Sequence, residues 1–224
     1  MKVFISRDLE KNSIFKTTLE AEGIKVEGIS LIEFEAVKFD EVPAVDWIFF
    51  YSKKAVKYFY EGLSVQLPIA LKYACIGEST AHDLKQYQDR IDFIGNGKPD
   101  EAASEFVKLA SKQRVLFPRA KNSRQSIQKI LHKNIISTDL IVYNNKPKLS
   151  RFMTDCKLLV FTSPLNVEAY FHSNQLQANQ RMIAIGESTA AALRARGHCE
   201  ILIANEPSER SLAKSVLDSI RRRN

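Results

Sequence analysis

The chain has 224 residues, of which 45% are hydrophobic and 26% charged, with a net charge of +7. Those values suit a water-soluble globular protein with room for two domains of common size. They exclude a membrane span, because no apolar run approaches the ~18–20 residues one needs, and they disfavour a nucleic-acid binder, because the basic residues are scattered with no basic aromatic platform.

Short β-rich runs alternate with helical patterns from the start. "KVFIS" at Lys2 reads as a strand, and "KNSIFKTTLEAEG" reads as a helix stopped by Gly23. "EGISLIEFEAVKF" (27–39) is long and β-prone and lacks a following helix, so it reads as a connector. "DWIFFYS" is a continuous apolar run, as expected of a strand buried on both faces. Ser52 then caps the helix "SKKAVKYFYEG", with Gly62 expected past its end. Next come the strand "YACIG", the helix "ESTAHDLKQY", the strand "IDFIG" and the helix "KPDEAASEFVKLAS", which carries Pro99 in its first turn. "RVLFP" and "NSRQSIQKILHK" give another strand and helix, and "NIISTDLIVYNNKP" (134–147) is a second β-prone segment without a helix. The remainder reads "KLLVFTS", "PLNVEAYFHS", "MIAIG", "ESTAAALRARG", "ILIA" and "EPSERSLAKSVLDSI", again strand and helix by turns. Alternation at this spacing predicts an α/β fold of parallel sheets covered by helices on both faces.

The chain also repeats itself. Ile-Gly-Glu-Ser-Thr occurs at 76–80 and again at 185–189. "DWIFFYSKKAVKYFY" lies on "KLLVFTSPLNVEAYF", which places Ser52 on Ser163, and "KVFISR" lies on "RVLFPR". The matched segments keep one order at offsets of 108–112 residues, so one unit of that size is written twice. Two copies are too few for a solenoid, and two similar domains are the simpler expectation.

Ligands of open parallel sheets sit beyond the carboxyl ends of the strands, and this sequence gathers its polar residues there. Ser52, Ser163, Gly77 to Thr80 and Gly186 to Thr189 each follow a strand and open a helix, where free N–H groups attract anions. Glu78 and Glu187 oppose this in part, since each already satisfies its helix dipole. Arg119 and Arg124 follow another strand and suit carboxylates. Neither a dinucleotide fingerprint nor a P-loop is present, and no catalytic triad or elbow motif occurs. Cys75, Cys156 and Cys199 share no close spacing and read as reduced thiols; the histidines 82, 132, 172 and 198 lack metal-ligand spacing. The run Arg221-Arg222-Arg223 suits a helix end. No signal-peptide core follows Met1, so a cytosolic protein is expected.

With "VFISR", "DWIFFYSKKAVKYF", "YACIGESTAHDL", "RVLFPRAKNSR", "DLIVYNN", "LLVFTSPLNVEAYF" and "MIAIGESTAAAL" in that order, the chain resembles the uroporphyrinogen-III synthase family over nearly its whole length. The resemblance implies two similar doubly wound, flavodoxin- or Rossmann-like domains joined by a two-stranded β connector. The first domain would be discontinuous, residues 1–35 plus 146–224, with residues 36–145 inserted and the connectors near 27–39 and 134–147. It implies a cofactor-free, metal-free lyase that cyclises hydroxymethylbilane with inversion of ring D. The partner would be that octacarboxylate alone, with no nucleic acid and no membrane, and the protein would act as a monomer. The implied site has Tyr143 as the catalytic group, acting as proton donor or by ordering water at the departing hydroxyl. Ser52, Gly77, Thr80, Arg119, Ser163, Gly186 and Thr189 would bind substrate. Asn145 stands where the family usually has threonine, and Tyr51 replaces a common threonine. The alternative is a non-enzymatic two-domain sensor of a small acidic ligand.

Overall fold

The computed structural model describes residues 1–123, 125–148, 154–177 and 179–221. Arg124, Arg222 and Arg223 lie outside them. Along the chain run β1 (Lys2–Ile5), α1 (Ile14–Ala21), β2 (Lys25–Gly28), β3 (Ile32–Ala36), β4 (Trp47–Phe50), α2 (Lys53–Gly62) and β5 (Lys72–Cys75). Then follow α3 (Glu78–Leu84), β6 (Phe93–Ile94), α4 (Pro99–Ala110), β7 (Arg114–Ala120), α5 (Ser126–Leu131) and β8 (Ile136–Pro147). The last elements are β9 (Leu158–Phe161), α6 (Pro164–Ser173), β10 (Arg181–Ala184), α7 (Glu187–Arg194), β11 (Ile201–Ile203) and α8 (Glu209–Arg221). No helix among the described residues is long and apolar enough to cross a membrane.

The chain divides into two compact units, Met1–Glu33 with Lys146–Asn224, and Phe34–Asn145. The first holds a five-stranded sheet in the order β11-β10-β9-β1-β2, with every neighbouring pair parallel. The six-stranded sheet has the order β3-β8-β7-β4-β5-β6. Five of its strands run parallel. At its edge the Val37 N–H donates to the Val142 carbonyl, beyond the end of β3.

The two sheets share one layout. Laying β7 on β1, β8 on β2 and β4, β5, β6 on β9, β10, β11 reproduces the same spatial order. This is the pairing that the sequence repeat gives. Each sheet therefore takes two parallel strands from one copy of the repeat and three from the other.

Strict alternation within the central strands builds a core on each side of each sheet. On β4, Ile48 and Phe50 face Ala55, Val56 and Phe59 of α2, while Trp47 and Phe49 pack with Phe106 of α4 and Ile127 of α5. On β1, Val3 and Ile5 join Phe15 and Leu212 of α1 and α8, while Phe4 joins Val167 and Leu193 of α6 and α7. All four residues of β4 and of β9 are buried, which is why those runs carry no polar alternation.

The segment 27–39 holds two strand ends, since β2 ends at Gly28 as an edge of the five-stranded sheet and β3 begins at Ile32 in the other, and the division between the two units falls within it. One expectation needs correction. Gly62 does not lie beyond α2; it is the last helical residue, and Leu63 caps it. A Cβ there would come within 2.7 Å of the Phe39 ring, so glycine serves packing rather than termination. Gly23, by contrast, takes φ +70 just after α1, the left-handed conformation that glycine adopts at little cost.

Candidate active site

In each sheet the strand order reverses between two central strands, β1 and β9 in one and β7 and β4 in the other. That reversal opens a crevice at the carboxyl ends, where α/β sheets bind ligands. A hydroxyl pair marks it in both units. Tyr51, just after β4, bonds its hydroxyl to Ser123 Oγ at 2.7 Å. After β9, the Thr162 hydroxyl donates to the Ser6 carbonyl at 2.8 Å, and the Thr162 N–H donates to Ser6 Oγ at 2.9 Å. These four residues were not singled out as binding groups from sequence. The signal was available in their place one or a few residues past a buried strand.

Ser52 and Ser163 are the N-caps of α2 and α6. Each accepts a hydrogen bond from the backbone N–H three residues on, Ala55 at 3.1 Å and Asn166 at 3.2 Å. Tyr143 lies on β8 in register with Ala120 at the end of β7, beside a β-bulge. The structure thus brings Tyr143 level with Ser52, close enough for their hydroxyls to interact. Tyr143 is 8% exposed, stacked on Tyr58 at 5.2 Å and tilted against Phe34 at 6.1 Å. Burial holds its phenol above the ordinary tyrosine value, and the hydrogen bond to Ser52 pulls it partly back. The phenol is protonated at neutral pH and has an adjacent hydroxyl to stabilise negative charge on its oxygen.

The two Ile-Gly-Glu-Ser-Thr turns open α3 and α7 in nearly identical form. Gly77 and Gly186 are N-caps in extended conformation without a side-chain cap, so the first N–H groups of each helix are left for another acceptor. Both glycines are extended, so neither backbone demands glycine. Their surroundings differ. A Cβ on Gly77 would sit 3.0 Å from the Gly97 backbone, whereas one on Gly186 meets nothing within 4 Å. Thr80 and Thr189 lie in the first turn of their helices and are buried, 5% and 1% exposed. Glu187 is ion-paired with Arg194 of its own helix. That pairing draws its negative charge away from the turn.

Arg119 is engaged within its own unit. Its Nε lies 2.9 Å from Asp139 Oδ2, and Nη1 donates to the Ala120 and Lys121 carbonyls at 2.9 and 3.1 Å. It braces the end of β7 beside Tyr143. Asn145 has a buried side-chain oxygen with no partner among the described residues.

The two buried thiols, Cys75 and Cys156, offer no nucleophile. Burial pushes Cys75 up to about 12 and Cys156 up to about 11, so both stay protonated at neutral pH. Among the described residues, Glu27, Asp155 and Cys156 could converge on a cation, but the Lys2 ammonium already lies 3.0 Å from Glu27 and 2.8 Å from Asp155. A pocket of about 150 Å3 opens beside Tyr51, Ile76, Ser123 and Ile127. Another, of about 700 Å3, lies at the amino ends of β10 and β11 among Met182, Cys199 and Ile201 and touches none of the predicted site residues.

A family model described as uroporphyrinogen-III synthase HemD matches residues 13–214. No curated protein matches the chain. Among solved structures, the chain is similar to uroporphyrinogen-III synthetase from Helicobacter pylori, with 23% identity, 98% of this chain and 100% of that one covered, and a TM-score of 0.73. It is also similar to a mutant uroporphyrinogen III synthase from Thermus thermophilus, with 16% identity, 99% and 98% covered, and a TM-score of 0.53. At these identities the likeness to the two structures is one of fold.

Proposed function

The chain belongs to the uroporphyrinogen-III synthase family, and from that premise we propose that Tyr143 and Ser52 form the proton-handling centre for cyclisation of hydroxymethylbilane. The observation that carries this is the buried Tyr143 phenol, kept protonated and placed beside the Ser52 hydroxyl. The phenol gives its proton to the departing hydroxyl of the substrate, which leaves as water. Ser52 hydrogen-bonds the phenol oxygen as charge develops there. The azafulvenium so formed is attacked by ring D through its substituted carbon, the resulting spiro intermediate fragments and recloses with ring D inverted, and the proton lost from ring D on closure restores the phenol.

Most of that chemistry is intrinsic to the substrate, so the protein's share is orientation. In the proposal Ser163, the Thr80 and Thr189 hydroxyls and the uncapped turns at Gly77 and Gly186 hold substrate carboxylates. Helix N-termini and hydroxyl donors suit that charge. Arg119 acts indirectly by bracing the β7 end. The proposal calls on no cofactor, since the leaving group and the nucleophile both belong to the substrate. No observation favours the non-enzymatic sensor.

The test is Tyr143→Phe beside Ser52→Ala. Loss of a general acid commonly costs about 10²–10⁴-fold in rate. Tyr143→Phe should therefore form isomer III far more slowly at an unchanged melting temperature, with Ser52→Ala intermediate. Isomer-III formation at the wild-type rate in Tyr143→Phe would remove the phenol from the mechanism.

A further inference from the structure

Ser52 and Ser163 hold matching places in the repeat, but three residues on the first copy has Ala55 and the second has Asn166. Asn166 is 3% exposed, and its side chain makes two bonds. Oδ1 accepts from the Leu31 N–H at 2.9 Å, and Nδ2 donates to Ser163 Oγ at 2.9 Å. The Leu31 N–H can only donate, so the amide oxygen must face it and the NH2 group must face Ser163. The Asn166 backbone N–H donates to the same Oγ at 3.2 Å. A serine oxygen has two acceptor sites, and here both are filled. The one capacity left to Ser163, a partly exposed residue, is to donate its hydroxyl proton.

We infer that Asn166 is a positioning residue that holds Ser163 as an obligate hydrogen-bond donor toward a substrate carboxylate. This rests on the proposed function above and extends it to a group that touches no substrate. It also separates the two copies. Ser52 accepts a single bond, from Ala55, and its hydroxyl lies near the Tyr143 phenol, so it is free to donate or accept as the proton at Tyr143 moves. Ser163 has no such freedom, which suits a group that binds rather than one that takes part in proton transfer. The anchor of Asn166 is itself held, because the Leu31 carbonyl accepts from the Lys148 N–H at 2.8 Å and the Ser30 carbonyl from the Lys148 ammonium at 2.7 Å.

The experiment is a double-mutant cycle between positions 166 and 163, read as KM for hydroxymethylbilane with spontaneous closure subtracted. Asn166→Asp keeps an oxygen for Leu31 but presents a second acceptor to Ser163, which turns the serine proton inward. Asn166→Ala supplies the residue that the first copy carries at this place and serves if the Asp variant does not fold. In the wild-type background either change should raise KM about tenfold or more with a small effect on kcat, as expected for one hydrogen bond to a charged group. In a Ser163→Ala background neither change should add to the effect of Ser163→Ala. An equal rise in both backgrounds would overturn the inference, since Asn166 would then act on packing or charge. A wild-type KM in folded Asn166→Asp or in Ser163→Ala would overturn it as well. Failure of the wild-type chain to form isomer III would instead sink the proposed function itself, which is read before the cycle begins.

Discussion

Glycine 77 and glycine 186 show how far identical residues in identical motifs can differ. Both are extended, so neither is required by its backbone angles. Gly77 is buried against Gly97, which is locked at φ +88 and donates its N–H to the Ile76 carbonyl at 2.7 Å. Gly77→Ala should therefore lower stability by roughly 1–3 kcal/mol through overpacking. Gly186→Ala has room for its methyl and should melt within about 0.5 kcal/mol of wild type, while its KM rises if substrate approaches that backbone. Thermal melts and KM on the two variants separate these outcomes. Equal destabilisation would contradict the packing account. His198, tilted against Phe171 at 4.7 Å, gives a second residue-scale expectation. Burial, with Arg196 nearby, depresses its pKa below the usual 6.5. The folded chain thus binds fewer protons than the unfolded chain as pH falls through 6.5, and the stability present above that pH is lost below it. His198→Gln should flatten the fall in melting temperature between about pH 7.5 and 5.5; an unaltered slope would exclude His198 as its source.

At the scale of elements, helix ends carry much of the long-range bonding. Ser13 caps α1 by accepting from the Lys16 N–H at 3.2 Å, and its hydroxyl donates to Glu209 at the start of α8 at 2.7 Å. The same carboxylate accepts from the Phe15 N–H at 3.1 Å. One side chain thus serves two helix termini that are far apart in sequence. Glu209→Ala should cost roughly 1–3 kcal/mol, the scale of a charged hydrogen bond lost from a partly buried site, and Glu209→Gln should cost less because an oxygen still accepts. Melting both variants checks the order. The elements themselves were largely legible, since strand burial and helix periodicity are local properties: "DWIFFYS" and the caps Ser52 and Ser163 behave as their sequence says. The partners across the fold were not legible. Asn166 finds Leu31 at a separation of 135 residues, Gly62 meets Phe39, and the 27–39 segment splits between two sheets, and no local pattern encodes such contacts. Tyr143 came from family resemblance, and its neighbour Ser52 came from a cap signal. Only the sheet register at the end of β7 places one beside the other.

For the whole molecule, the repeat and the folded units do not coincide. β1 and β2 come from the first copy yet complete a sheet with β9, β10 and β11 of the second; β7 and β8 complete the other sheet with β4, β5 and β6. A cut at residue 110 would leave both sheets unfinished, whereas Phe34–Asn145 is continuous and contains both of its own core clusters. The fragment 34–145 should melt cooperatively alone and the fragment 1–110 should not, as circular dichroism on the two would show. Cooperative folding of the 1–110 piece would contradict the exchanged arrangement. The central claim, that these sheet ends hold a reactive tetrapyrrole so that ring D inverts, is tested most directly by incubating the purified chain with hydroxymethylbilane and separating the uroporphyrinogen isomers. The account predicts isomer III as the main product, in excess over the uninverted isomer that forms without protein. Isomer I alone, at the rate of the protein-free control, would contradict it.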